Sequence, residues 1–169
     1  MPYDQRYELD LLRGTEEPRP WDLLKIIREY TRKSDVLLDI GCGTAFKLIQ
    51  LAGNVGKIYG LEPNEKMRTK AEENIRLIEF SNIALVNEHA NEIPFKDNYF
   101  DVVTCMVVPH NTAEVYRVLK QNRYAILEKI GESDKLNFKK EFGFNEGGYR
   151  GQFSYLLGEG DGENIPERI

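Results

Sequence analysis

The chain holds two cysteines, two histidines and one tryptophan among 169 residues. Two thiols make no disulfide framework, so a reducing, cytoplasmic compartment is the expectation. No metal site is assigned. No apolar run approaches the roughly 20 residues that a membrane helix needs. The opening MPYDQRYELD is too acidic and polar for a signal peptide. Both features point away from a membrane. Basic residues are the scarcer sign, 23 against 28 acidic, for a net charge of −5. A protein living on phosphate contacts usually shows a basic patch. The densest basic stretch here, KLNFKK at 135–140, is flanked by Glu132, Asp134 and Glu141 and reads as a solvated helix face. A nucleic-acid partner is therefore disfavoured.

What is present is a profile of 41% hydrophobic and 30% charged residues, that of a soluble globular protein. The length suits one domain. Helical spacing of Leu23, Leu24, Ile27 and Tyr30 predicts a helix over 21–32, opened by Pro20. DVLLDI at 35–40 lacks polar alternation and reads as a strand covered on both faces. Thr44 is expected to cap a helix reaching about Ala52, with Phe46, Ile49 and Leu48 or Leu51 facing inward. A strand at 57–62 and a helix from Asn64 to about Leu77 follow, the helix supported by Arg68–Glu72 at i,i+4.

Further strands are predicted at 83–86, 100–107 and 123–130, and helices at 112–120, capped by Thr112, and from about Ser133 to Phe142. Pro94 and Asp97-Asn98 mark the intervening loop. The alternation gives an α/β fold, a doubly wound, mainly parallel sheet with helices on both faces and strand order 3-2-1-4-5. One domain is read over 1–169: a helical or lid segment at 1–34, a core at 35–143, and a weakly ordered or truncated tail at 144–169. From Gly143 on lie seven of the 14 glycines.

Ligands of such sheets bind beyond the carboxyl ends of the strands. VLLDIGCGTA, at 36–45, puts Asp39, Gly41 and Gly43 there. The pyrophosphate fingerprint G-x-G-x-x-G fails, because Phe46 stands at its third glycine, which disfavours an NAD-linked oxidoreductase. Glu62, 21 residues after Gly41, remains placed to take both hydroxyls of a ribose. A ribose without a pyrophosphate cradle points to a nucleoside cofactor.

VLLDIGCGTA, IYGLEPNEKM, ANEIPFKDNYFDVV and EVYRVLKQNRYAILEK, in that order, resemble the class I S-adenosylmethionine-dependent methyltransferases, in particular their small-molecule type 11 branch. The resemblance runs from Val36 to Lys129. It implies S-adenosylmethionine as cofactor and S-adenosylhomocysteine as product. It places Asp39, Gly41, Cys42 and Gly43 around the methionine portion and Glu62 on the ribose. Pro63 and Met67 would lie beside the adenine, Ala90 and Asn91 at its edge, and Cys105 at the methyl-transfer mouth with Met106. His110, just past the fourth strand, is the candidate base. His89 reads as an exposed loop residue, and Tyr3 and Tyr7 resemble the tyrosines that fold over the cofactor. A buried structural role is the default for both thiols, which would be neighbours if the first and fourth strands pair.

The chain departs from the family at Ala45, where glycine is usual, at His89, where aspartate is usual, and at Gln121-Asn122-Arg123, where Pro-Gly-Gly is usual. Asn122 can supply the positive φ that such a turn needs. The family sheet has seven strands, the last two a hairpin beside the fifth. Only QFSYLL at 152–157 has strand-like content in the tail, so an incomplete C-terminal sheet is expected, with self-association at its exposed edge. A small-molecule methyl acceptor is expected. The alternatives are a protein that binds the cofactor without efficient catalysis and a relative of ribosomal RNA base methyltransferases.

Overall fold

The computed structural model describes residues 22–129. The elements run α1 (Leu23–Glu29), β1 (Val36–Ile40), α2 (Phe46–Leu51), β2 (Lys57–Leu61), α3 (Glu65–Arg76), β3 (Ile83–Val86), β4 (Phe100–Met106), α4 (Thr112–Val118) and β5 (Leu119–Glu128). The five strands form one sheet in the order β3-β2-β1-β4-β5, and every pairing is parallel. This is the doubly wound order expected. Strand order reverses between β1 and β4, so a crevice-forming switch point lies at their carboxyl ends.

Successive strand residues face opposite ways, and the two cores follow that parity. Leu37, Ile58 and Val102 pack with Ile27, Leu48, Leu51 and Ala71 from α1, α2 and α3. Leu38, Leu61 and Val103 pack with Val115 and Val118 of α4 and with Ile93. Both sheet faces are thus covered, which is why β1 and β4 are apolar without alternation. Cys42 belongs to the first core and Cys105 to the second. β1 and β4 do pair, yet the two thiols lie on opposite faces.

Two helix caps differ from expectation. Thr44 does not cap α2. Ala45 occupies that place in left-handed backbone, φ 64°, with no side-chain cap bond. The turn out of β1 reverses so tightly that the residue entering α2 takes the conformation usually left to glycine, the residue usual in the family. At α4 the cap is Asn111 rather than Thr112, its side chain accepting from the Ala113 and Glu114 N–H groups. Asn64 does cap α3, accepting from Met67 N–H. Arg68 makes no pair with Glu72. Its guanidinium turns back to donate to Glu62 O and Asn87 Oδ1, the first a backbone carbonyl fixed by the fold where a surface carboxylate is not.

The turn expected at Gln121–Arg123 lies inside β5. Between the Phe100–Leu119 and Val102–Tyr124 pairings, β4 advances two residues while β5 advances five. The extra residues loop out, with Asn122 at φ 57°. The loop expected around Asp97-Asn98 is present, Asn98 at φ 54°. Arg117 ties that loop down, donating to Ile93 O, Phe95 O and Asp97. It also binds Glu114, whose carboxyl it holds down at about pKa 2. The expectations for 1–21 and 130–169, including Tyr3, Tyr7, the 133–142 helix and the incomplete C-terminal sheet, lie outside the described residues.

Candidate functional site

β1 delivers Asp39 and Ile40 to the switch point, and the chain leaves the sheet at once. The N–H groups of Gly41 and Cys42 both donate to Leu61 O at the end of β2, at 2.9 and 3.0 Å. Holding the chain there requires left-handed backbone at Gly41 (φ 70°) and Gly43 (φ 57°). A Cβ at Gly41 would lie 2.6 Å from Val108 Cγ2, so sterics and conformation both demand glycine. At Gly43 the added atom would meet, among the described residues, only Met67 Cε, at 3.2 Å. The second glycine therefore leaves a bare stretch of backbone beside Met67.

Glu62, the residue after β2, is buried and clamps this turn. Its Oε2 accepts from Gly43 N–H and its Oε1 from Asn64 N–H, each at 2.9 Å. A carboxylate carries about four lone-pair sites, so two remain for further donors. Asp39 is buried at 1% exposure. Its Oδ1 accepts from Thr104 Oγ1 at 2.7 Å and from Lys47 Nζ at 2.9 Å. Its Oδ2 is buried with no partner among the described residues, as is Thr44 Oγ1. Two orphaned polar atoms beside a bare glycine backbone are what a polar ligand would satisfy.

Past β4 the chain carries strain. Val107, a β-branched residue, stands at φ 53°, a conformation that such residues adopt rarely. Val108 follows and fills the space against Gly41. His110 is buried, with Nδ1 3.2 Å from Val108 O and 3.4 Å from Cys105 Sγ, and with Nε2 unpartnered among the described residues. Donation from Nδ1–H to that carbonyl leaves Nε2 bare as an acceptor. Burial pushes the Cys105 thiol up to about 11, and Cys42 is raised still more clearly by burial and by the nearby Asp39 and Glu62. Both are inert packing thiols.

The structure thus brings together Asp39, Gly41, Cys42, Gly43, Glu62 and Met67, and links them through Val108 to Cys105 and His110. Pro63 is exposed beside them. Ala90 packs against the second core, and Asn91 is exposed with its backbone carbonyl accepting from Asn111. Neither makes a described contact with the glycine turn. His89 is exposed, as expected. The sequence reading missed Lys47 and Thr104. Lys47 was the one signal available, a lysine among the apolar residues of FKLIQL. Thr104 lies opposite Asp39 in the β1–β4 register, a relation visible only once the strands are paired. Among the described residues no cluster of His, Cys, Asp or Glu could hold a metal, and no helix is long and apolar enough to cross a membrane.

Comparison with known proteins agrees with this fold. The family described as methyltransferase domain matches residues 38–127. The chain is similar to a demethylmenaquinone methyltransferase of Bacillus mycoides, 38% identical over 87 residues, covering 50% of this chain and 37% of that one. A demethylmenaquinone methyltransferase of Geobacillus stearothermophilus is 36% identical over 97 residues, covering 56% and 42%. The chain therefore spans about two fifths of the length of these relatives. Among solved structures, a SAM-dependent methyltransferase from Methanosarcina mazei superposes with a TM-score of 0.60 at 25% identity, covering 75% of this chain and 64% of that one. Another from Aquifex aeolicus gives 0.59 at 23%, covering 73% of each.

Proposed function

The chain belongs to the methyltransferase-domain family of class I S-adenosylmethionine-dependent enzymes, and on that premise we propose that it binds S-adenosylmethionine at the Gly41–Gly43 turn and supports methyl transfer to a small-molecule acceptor. One observation carries the reading: two left-handed glycines and the orphaned Asp39 Oδ2 meet the clamped carboxylate of Glu62 at the strand-order switch point. The residues fit the group. Glu62 has lone pairs left for two ribose hydroxyls, Asp39 Oδ2 for an ammonium N–H, and Gly43 leaves the backbone open to the amino-acid portion. Met67, with Pro63 next to Glu62, is assigned to the adenine side, and Ala90 and Asn91 to its edge.

The bound cofactor supplies an electrophilic methyl group and its own leaving group. The chain's residues orient it, exclude water and, where the acceptor has a proton to lose, take that proton. His110 Nε2, a buried ring nitrogen with no partner among the described residues, is the group assigned to this last role. The names of the curated relatives favour a quinone-type acceptor. Binding of the cofactor by a protein without turnover is the competing outcome.

Glu62→Ala is expected to weaken S-adenosylhomocysteine binding by about 1.5–3 kcal/mol, the scale of hydrogen bonds to a charged group. Because Glu62 also clamps Gly43 and Asn64, calorimetry with a 2′,3′-dideoxy analogue separates the two effects. The analogue should lose affinity for the natural chain and lose none further on the variant. Equal affinity of variant and natural chain for S-adenosylhomocysteine would remove Glu62 from the ribose.

For His110→Ala, turnover on a demethylated quinol acceptor is expected to fall about 100-fold, the lower end of general-base contributions. Cofactor affinity should not change. Full turnover in the variant would make His110 a packing residue.

A further inference from the structure

Lys47 is the second residue of α2, and its side chain is 7% exposed although it carries a full charge. Lysines are almost never buried this far without partners for the ammonium. Its one hydrogen bond among the described residues runs to Asp39 Oδ1, at 2.9 Å. An ammonium has three N–H donors, so two are not accounted for. Thr104 donates to the same Oδ1 at 2.7 Å, while Oδ2 has no partner among the described residues. One carboxylate oxygen is thus held by two donors and the other is free. Beside it stands a cation with donors to spare. Such a pair matches, with opposite signs, the ammonium and carboxylate of an α-amino acid.

We propose that Asp39 and Lys47 form a two-charge receptor for the amino-acid end of the cofactor, Asp39 Oδ2 taking its ammonium and Lys47 its carboxylate. The proposal rests on the cofactor reading above and sharpens it: the site selects for the α-carboxylate. The competing account makes Lys47 only a neutraliser of Asp39, and charge arithmetic separates the two. Asp39, Glu62 and Lys47 together sum to one negative charge. A ligand stripped of its carboxylate gains a positive charge, so a site without directed recognition would prefer the stripped ligand. Directed recognition by Lys47 predicts the reverse preference.

The test compares S-adenosylhomocysteine with its decarboxylated amine by calorimetry on the natural chain and on variants. The natural chain should bind S-adenosylhomocysteine at least about tenfold more tightly, the scale of one charged hydrogen bond. Lys47→Met should erase or invert that ratio. Thr104→Val, which loosens Asp39 but keeps the ammonium, should weaken both ligands together and keep it. If Lys47→Met fails to fold, the Asp39→Asn/Lys47→Met double variant leaves no unpaired charge at these two positions, and the ratio should be lost there too. Equal or tighter binding of the amine by the natural chain overturns the proposal, as does a ratio unchanged in the lysine variants. Binding of neither ligand by the natural chain removes the cofactor reading itself, and the receptor with it.

Discussion

Gly43→Val is expected to abolish measurable binding of S-adenosylmethionine and S-adenosylhomocysteine, a loss of more than about 100-fold, in a chain that still folds. Gly43 sits at φ 57°, where a valine is strongly disfavoured. Two responses are open to the variant. It can keep the turn, and then the isopropyl group projects toward Met67, whose Cε would lie 3.2 Å from the new Cβ. Met67 is unbranched and can give way, but the bare backbone surface is gone. Alternatively the residue flips to negative φ, which swings its N–H away from Glu62 Oε2 and frees the carboxylate from half of its clamp. Either way the amino-acid path or the ribose acceptor is displaced. Gly41→Ala provides the contrast. Its Cβ would come within 2.6 and 2.8 Å of the two methyls of Val108, on a residue already at φ 70°, so the damage there is to the fold. Circular dichroism and calorimetry on the two variants separate the cases. A folded Gly43→Val chain with undiminished affinity would place the cofactor elsewhere.

The parts of this fold legible in the sequence are those where one residue type has one physical use. Continuous apolar runs mark β1 and β4 because both faces of those strands are covered. Asn64 was readable as a cap because its side chain needs only the helix start beside it. The two glycines and Glu62 were readable because their spacing reflects a strand, a turn, a helix and a second strand in series. Caps that depend on the path into the helix were not readable. Thr44 is the better capping residue by type, but the turn out of β1 puts Ala45 at the helix start in a conformation that no side chain announces. The Asp39–Lys47–Thr104 cluster was hidden for a different reason. Its members come from two strands and a helix, and Asp39 and Thr104, 65 residues apart, become neighbours only through the β1–β4 register. The same pairing explains why Cys42 and Cys105 part company: one follows β1 into the first core, the other lies within β4 on the opposite face.

Asp101 is the second place where long-range register creates an unannounced cluster, at the far end of the sheet from the cofactor turn. Its side chain is buried, and Oδ2 accepts from Val36 N–H at 3.0 Å and from Lys120 Nζ at 2.8 Å. Oδ1 lies 3.1 Å from Arg123. Lys120 and Arg123 both come from the looped-out stretch of β5, so the bulge is what delivers two cations to one acid. Asp101→Ala is expected to destabilise the chain by about 1–3 kcal/mol at neutral pH, the scale of a lost charged hydrogen bond and an unsatisfied donor. The Val36 N–H loses its acceptor, whereas Lys120 and Arg123 are partly exposed and Arg123 keeps Asp35 at 3.9 Å, so solvent screens the two cations. Cofactor affinity of the folded fraction should not change, since the glycine turn is at the opposite end of β1. The pH dependence tests the cause. Burial pushes the Asp101 carboxyl up, but the Lys120 ammonium, the Val36 N–H and the Arg123 charge outweigh it, and the group lies below its ordinary value. A carboxylate depressed in the folded state contributes stability above its ordinary range and loses that contribution as pH falls through the folded value. The gap between natural and Asp101→Ala chains in urea unfolding should therefore be full at pH 7 and narrow steadily below about pH 4. Glu114, held at about 2 by Arg117 in both chains, cancels from the comparison. A gap that stays constant down to low pH would mean that Asp101 acts through packing alone, and that the cations on the β5 bulge do not depend on its charge.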